Sequence, residues 1–197
     1  MYLNAVTFRQ MRQFAPSMLT NCPALRVVDF GGTFLPEFPP DDSANASDGQ
    51  AVTKWLFTPH LDNLPKWFNI VELAVEQWST IVEQIKAAFS SASSPVNFCI
   101  SAVFPPSSSL SVVVPFELIN EFTQEKLTLS KEDEEEFEED DVKCFCLVRC
   151  PIVPDDQKRQ KINQMWGQWN KIDIHITDDG VDKSLLDASS AGPSGDH

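Results

Sequence analysis

Glycine is scarce in this chain: seven glycines in 197 residues leave no Gly-rich phosphate loop. Gly31-Gly32 follows a strand-like run but lacks the rest of any dinucleotide fingerprint. Long hydrophobic runs are missing as well. The longest uncharged stretch, 87–116, is interrupted by Pro95, Pro105, Pro106 and Pro115 and by many serines, which excludes a membrane span there. Positive charge is in short supply, with 15 basic against 29 acidic residues and a net charge of −14. A globally acidic chain is repelled by phosphate backbones and by anionic lipid surfaces, so nucleic-acid and membrane partners are disfavoured. No G-x-S-x-G nucleophile motif occurs, no internal repeat is visible, and no pattern calls for a cofactor.

The negative charge that is present is concentrated. Residues 132–141 (Glu132, Asp133, Glu134, Glu135, Glu136, Phe137, Glu138, Glu139, Asp140 and Asp141) hold nine acids around one aromatic ring. Outside them, 20 acids face 15 bases, an ordinary balance of −5. Repulsion among like charges keeps such a run solvated, and Phe137 is its sole apolar anchor. It reads as a solvated loop, as a docking surface for a basic protein, or as a regulated segment. Ser130-Lys131-Glu132-Asp133 has the form that acid-directed kinases prefer, which makes Ser130 a phosphosite candidate that would add about −1.5 to −2 charge.

The apolar fraction of 42% and charged fraction of 22% are those of a folding chain. The pattern predicts an α+β domain over 1–177, mainly an antiparallel sheet of four to five strands. One face is covered by a long amphipathic helix and by a second, C-terminal helix. A first helix is expected over Asn4–Leu19, broken by Pro16, then a strand over Ala24–Phe30 ended by Gly31-Gly32. The Pro- and Asp-rich stretch 31–52 reads as a loop. The long helix spans Leu64–Phe89, because Trp67, Val71, Ala74, Trp78, Ile81, Ile85 and Ala88 step by four and three. That stripe also admits a coiled-coil seam, but its width and large tryptophans fit packing on a sheet better. Two alternating runs, 96–104 and 110–118, form a hairpin pair, with Pro115 placing the second at an edge. The acidic insertion covers 123–141, and strand pattern returns at Val142–Cys150. A helix over 155–170 and a strand over 171–177 close the domain. The Asp- and Ser-rich tail 178–197 is expected to be disordered.

The candidate chemistry is sparse. Cys144, Cys146 and Cys150 share parity with Val142 and Val148, so a strand puts them on one apolar face. That suits core packing better than zinc, whose sites gather cysteines from a tight turn and need a second ligand pair. Five cysteines without a secretory signal suggest thiols in a reducing compartment, and the sequon at Asn45 then carries no weight. Asp173 and His175 share the polar face of the last strand; such a pair can orient a general base or start a metal site, but a solvated face explains it better. Two residues make a weak pattern, and His60 is isolated. Lys158, Arg159 and Lys161 beside Trp166 and Trp169 form a thin basic patch for nucleic acid over 158–171. Arg9, Arg12 and Arg26 without an acid in 1–28 give a faint mitochondrial presequence pattern, against which stands an ordinary first helix with exposed arginines.

The reading that follows is a non-enzymatic interaction, structural or accessory protein of the cytoplasm or nucleus, with the mitochondrial matrix as the alternative. Its acidic loop docks a basic partner, and a virus-encoded accessory protein is one setting that suits it. The alternatives are a small enzyme built around Asp173 and His175, and nucleic-acid binding through 158–171.

Overall fold

The computed structural model describes residues 2–31, 35–59, 64–71, 73–105, 108–110, 113–132 and 143–152. In order along the chain these form β1 (Tyr2–Asn4), α1 (Ala5–Phe14), β2 (Val27–Gly31), α2 (Asp48–Phe57), β3 (Lys66–Ile70), α3 (Val75–Ser90), β4 (Phe98–Phe104), β5 (Phe116–Asn120), β6 (Glu125–Glu132) and β7 (Lys143–Pro151). The strands make one sheet in the order β1-β2-β3-β4-β7-β6-β5. The class is α+β, as the sequence suggests, but the sheet is mixed. β1 to β4 run parallel, whereas β4–β7, β7–β6 and β6–β5 are antiparallel.

The parallel half follows from its helices. Each of α1, α2 and α3 connects two neighbouring parallel strands, and successive crossovers of one hand in one direction put all three helices on the same face. One continuous core records this. Phe8 of α1, Val52, Trp55 and Leu56 of α2, and Trp78, Ile81 and Ile85 of α3 pack with Phe68, Phe98, Ile100, Phe104, Leu127, Leu129, Phe145 and Leu147 of the strands. A smaller cluster of Trp67, Cys99 and Cys146, with Val27 and Val148 against it, lies on the opposite face.

Several expectations are overturned. Among the described residues the sheet has seven strands rather than four to five, and it is not mainly antiparallel. The helix expected over Leu64–Phe89 is two elements, because the stripe residues Trp67, Val71 and Ala74 lie outside α3, which begins at Val75. Lys66–Ile70 is a strand buried nearly throughout and paired on both sides, by β2 and by β4. A strand buried on both faces has no polar side, so a spacing of four and three among its residues imitates a helix. The first helix ends at Phe14, before Pro16, and Arg12 is not exposed: its guanidinium is buried against Asp48 at 2.7 Å, at the start of α2.

The loop expected over 31–52 ends at Ser47. Ser47 Oγ accepts from Gln50 N at 3.0 Å while Gln50 Oε1 accepts from Ser47 N at 2.9 Å. This capping box starts α2 and satisfies two otherwise orphaned donors. Gly49 sits so closely under Leu35 O that a Cβ at this position would clash with that oxygen. Strands 96–104 and 110–118 are not hairpin partners either. β4 lies between β3 and β7, and β5, which begins only at Phe116, pairs with β6. The edge expected near Pro115 does exist, since β5 is the last strand of the sheet.

The insertion expected over 123–141 begins too early, because Glu125–Glu132 is β6. The turn before it is held by Asn120, whose Oδ1 accepts from Phe122 N and Thr123 N at 3.0 and 3.1 Å and whose Nδ2 donates to Phe89 O at 2.7 Å. Cys144 and Cys146 are buried, yet on the face opposite the helices, while Phe145, Leu147 and Arg149 of the same strand point into the main core. The helix expected over 155–170, the strand over 171–177 and the tail 178–197 lie outside the described residues.

Candidate functional site

The acidic segment is defined by its two ends. β6 and β7 are hydrogen-bonded antiparallel neighbours, with Cα partners running from Glu125–Pro151 to Glu132–Cys144. Residues 133–142 join these strands, and Asp133 to Asp141 lie outside the described residues. The junction has a fixed place in the sheet. Phe104, the last residue of β4, pairs with Lys143, so the segment leaves the sheet at the end where β4 finishes. Ser130 and Lys131 are exposed on β6, beyond the last β5 partner, Leu129. Lys143 Nζ donates to Ser108 O at 3.3 Å. The base of the acidic segment therefore carries Lys131 on one strand and Lys143 on the other.

The opposite end of the sheet holds a charged cluster with no counterpart in the sequence reading. Arg149 and Glu125 are 1% and 0% exposed and meet at 2.6 Å through Arg149 Nη2 and Glu125 Oε2. Arg149 Nε donates to the same oxygen at 3.2 Å, and Nη2 donates to Ser94 O at 3.0 Å. The guanidinium also lies over the rings of Phe89 and Phe57, at 5.3 and 5.8 Å. Glu125 Oε1 accepts from Val96 N at 2.7 Å. Beside this pair Lys66, 1% exposed, donates from Nζ to Trp55 O and Thr58 O and reaches Leu56 O at 3.5 Å. Desolvation, aided by the charge of Arg26, pushes the Lys66 amine down to about 7.

This cluster looks like a site but does not behave as one. Its charged groups direct their hydrogen bonds at one another, at backbone carbonyls and at the Val96 N–H. The cavity against them, between Lys66, Asn97 and Glu125, has a volume of about 30 Å³, room for a single water molecule. It sits at the starting ends of β3 and β4, whereas open α/β sheets place ligands at the finishing ends of parallel strands. Its arrangement holds the β5–β7 half against the helices: Phe57 closes α2, and Phe89 lies in the last turn of α3. One signal could have found it. Arg149 shares parity with Phe145 and Leu147 in an apolar strand, so it must face the core and demand an acid there.

A groove of about 300 Å³ runs between α3 and the segment leading into β5. Trp78, Val82, Val113, Phe116 and Leu129 line it. Lys86 stands at its rim, with Nζ 4.1 Å above the Phe116 ring and 2.7 Å from Glu83.

The other candidates separate cleanly. Asp173, His175, His60 and the basic residues Lys158, Arg159 and Lys161 lie outside the described residues. Among the described residues no group of three or more His, Cys, Asp or Glu side chains could hold a metal ion. No helix among them is long and apolar enough to cross a membrane. No protein-family model, no curated protein and no solved structure matches the chain.

Proposed function

We propose that this is a non-enzymatic interaction protein that presents residues 132–141 to a basic protein partner from the connection between β6 and β7. The observation that carries this reading is the union of charge and anchorage. Of the nine acids, Glu132 ends β6 and the other eight lie in the connection 133–142 between two strands paired up to Glu132–Cys144. A charge run tethered at both ends to a sheet loses less entropy on binding than a terminal tail of the same composition. Its field steers basic partners and falls off within about 10 Å at 0.1 M salt.

Phe137 supplies an apolar contact within the run. Phosphorylation of Ser130, exposed beside the segment, would deepen the negative potential by about −1.5 to −2 charges. An odd number of cysteines suits a reducing compartment, the cytoplasm or the nucleus.

The test is a fluorescence-anisotropy titration of a labelled oligolysine peptide against the full-length protein at rising salt. A second form has every acid of 132–141 replaced by its amide. The native chain should bind at least about tenfold more tightly at low salt, a difference of about 1.4 kcal/mol. That advantage should shrink as salt is added. Equal binding by the two forms, or a difference insensitive to salt, would remove the docking role from this segment.

A further inference from the structure

We propose that Cys99 and Cys146 form a redox-active dithiol, closed by hydroperoxides into a disulfide that staples β4 to β7. All five cysteines are thiols, and four of them, Cys99, Cys144, Cys146 and Cys150, belong to these two adjacent strands. Ser101 pairs with Cys146 and Cys99 with Val148, so Cys99 and Cys146 are diagonal neighbours, both in the cluster opposite the helices. Their sulfurs are 2.8 Å apart. A disulfide bond is about 2.05 Å long, so closure requires an approach of less than about 1 Å.

The cysteine pairs within β7 are placed less well. Cys144 and Cys146 are two residues apart on one strand, roughly 6.6 Å between Cα atoms, near the far limit that a disulfide tolerates. Cys150 is four residues from Cys146, about 13 Å along the strand, which is out of reach. Metal binding is not the alternative, because no third ligand joins the two sulfurs among the described residues.

The chemistry balances with a hydroperoxide as oxidant. One thiolate attacks the peroxide: a sulfur–oxygen bond forms, the oxygen–oxygen bond breaks, and the departing oxygen leaves as water or an alcohol after taking a proton. The other sulfur then attacks the resulting sulfenic acid. The sulfur–sulfur bond forms, the sulfur–oxygen bond breaks, and hydroxide leaves as water with the second thiol's proton. Two thiols lose two electrons and two protons to one peroxide. Cys99 and Cys146 are 3% and 4% exposed, which favours an oxidant the size of water over a bulky disulfide. Reduction by exchange with a small thiol then requires β4 and β7 to open locally.

The bridge would fall at a consequential place. In the strand order, β4–β7 is the pairing through which the parallel strands meet the antiparallel ones. It would also close a loop between positions 47 apart in sequence, which contains the acidic segment. The proposal stands independently of any docking role for that segment.

The experiment treats the reduced full-length protein with hydrogen peroxide, counts thiols after denaturation and maps the linked peptides by mass spectrometry. The thiols of Cys99 and Cys146 should be lost together, with their peptides joined within one chain, and dithiothreitol should restore both. Cys99→Ala should abolish the link, while Cys144→Ala should leave it intact. The native peptide map decides the matter even if either variant fails to fold. Exposed Cys22 serves as the internal reference. Conversion of Cys22 while Cys99 and Cys146 stay unlinked would overturn the proposal, as would a link from Cys146 to Cys144 or Cys150.

Discussion

Strands β4 and β5 belong to the same sheet but keep very different company. β4 lies between β3 and β7, and Phe98, Cys99, Ile100, Ala102 and Phe104 are all buried, so both of its faces are covered. β5 lies at the edge: Glu117 and Ile119 are exposed, and Phe116 and Leu118 are only partly buried. Up to β4 the chain alternates strand with helix, whereas β5, β6 and β7 follow one another as antiparallel neighbours with no helix between them among the described residues. The first half thus carries its own covering layer, and the second half depends on it. Leu127, Leu129, Phe145 and Leu147 find their apolar partners under helices that belong to the other half. The sheet is continuous, but its burial is lent from one side to the other.

Arg149 is where that dependence is most concentrated, and breaking it should produce the largest effect. It holds Glu125 of β6 in a buried ion pair and lies over Phe57 and Phe89. Truncating it in Arg149→Ala strands the Glu125 carboxylate in the core. Removing one partner of a buried pair costs about 3–5 kcal/mol. Urea unfolding should record that loss. Replacing both partners in Arg149→Met with Glu125→Met should restore much of it, because the double variant buries no unpaired charge. If the two losses simply add, the pair is not the coupling between the halves.

Legibility divides along the same line. The runs over Phe98–Phe104 and Lys143–Pro151 were readable as strands, because the core residues of each, such as Phe98, Ile100 and Phe104 or Phe145 and Leu147, recur at every second position. β3 was not readable, since Lys66 to Ile70 is buried on both faces and its apolar spacing joined that of α3 to imitate one long helix. β6 was hidden by composition. Its charged residues resemble the acidic run that follows, although Leu127 and Leu129 alternate with Thr128 and Ser130 as a strand should. α2 was hidden behind prolines and aspartates, although Ser47 and Gln50 spell a capping box ahead of Ala51, Val52, Trp55 and Leu56. The acidic segment was legible because charge can be counted along a chain. The Arg149–Glu125 and Cys99–Cys146 pairs were not, because each depends on a strand register that joins residues 24 and 47 apart.

Lys66 tests the covering layer of the first half with a smaller, pH-dependent effect. Burial lowers its amine from 10.5 to about 7 in the folded chain. Between those values the unfolded chain holds a proton on Lys66 that the folded chain does not. Unfolding therefore takes up a proton, and raising the pH favours the folded state. Stability should rise from about pH 7 upward and level off near 10.5, gaining on the order of 2 kcal/mol between pH 7 and pH 9. Urea midpoints measured from pH 7 to 9 should climb in the native chain and stay flatter in Lys66→Met. Equal slopes would show that the carbonyls of Trp55, Leu56 and Thr58, which favour the ammonium, offset the desolvation.

The edge of the sheet should give the smallest response. Ile119 is 60% exposed on β5 and points away from the core that holds Asn120. Truncating a fully buried isoleucine such as Ile100 removes about 2–5 kcal/mol, since it loses both transfer energy and packing. Ile119→Ala forfeits little burial and should change stability by no more than about 0.5 kcal/mol. What it should change is association. An exposed apolar residue on an edge strand with unpaired backbone groups is a template for another chain. Light scattering at high protein concentration should therefore fall in Ile119→Ala while the urea midpoint holds. A loss of several kcal/mol at Ile119 would mean that β5 is covered like β4, and the contrast between the two halves would not survive.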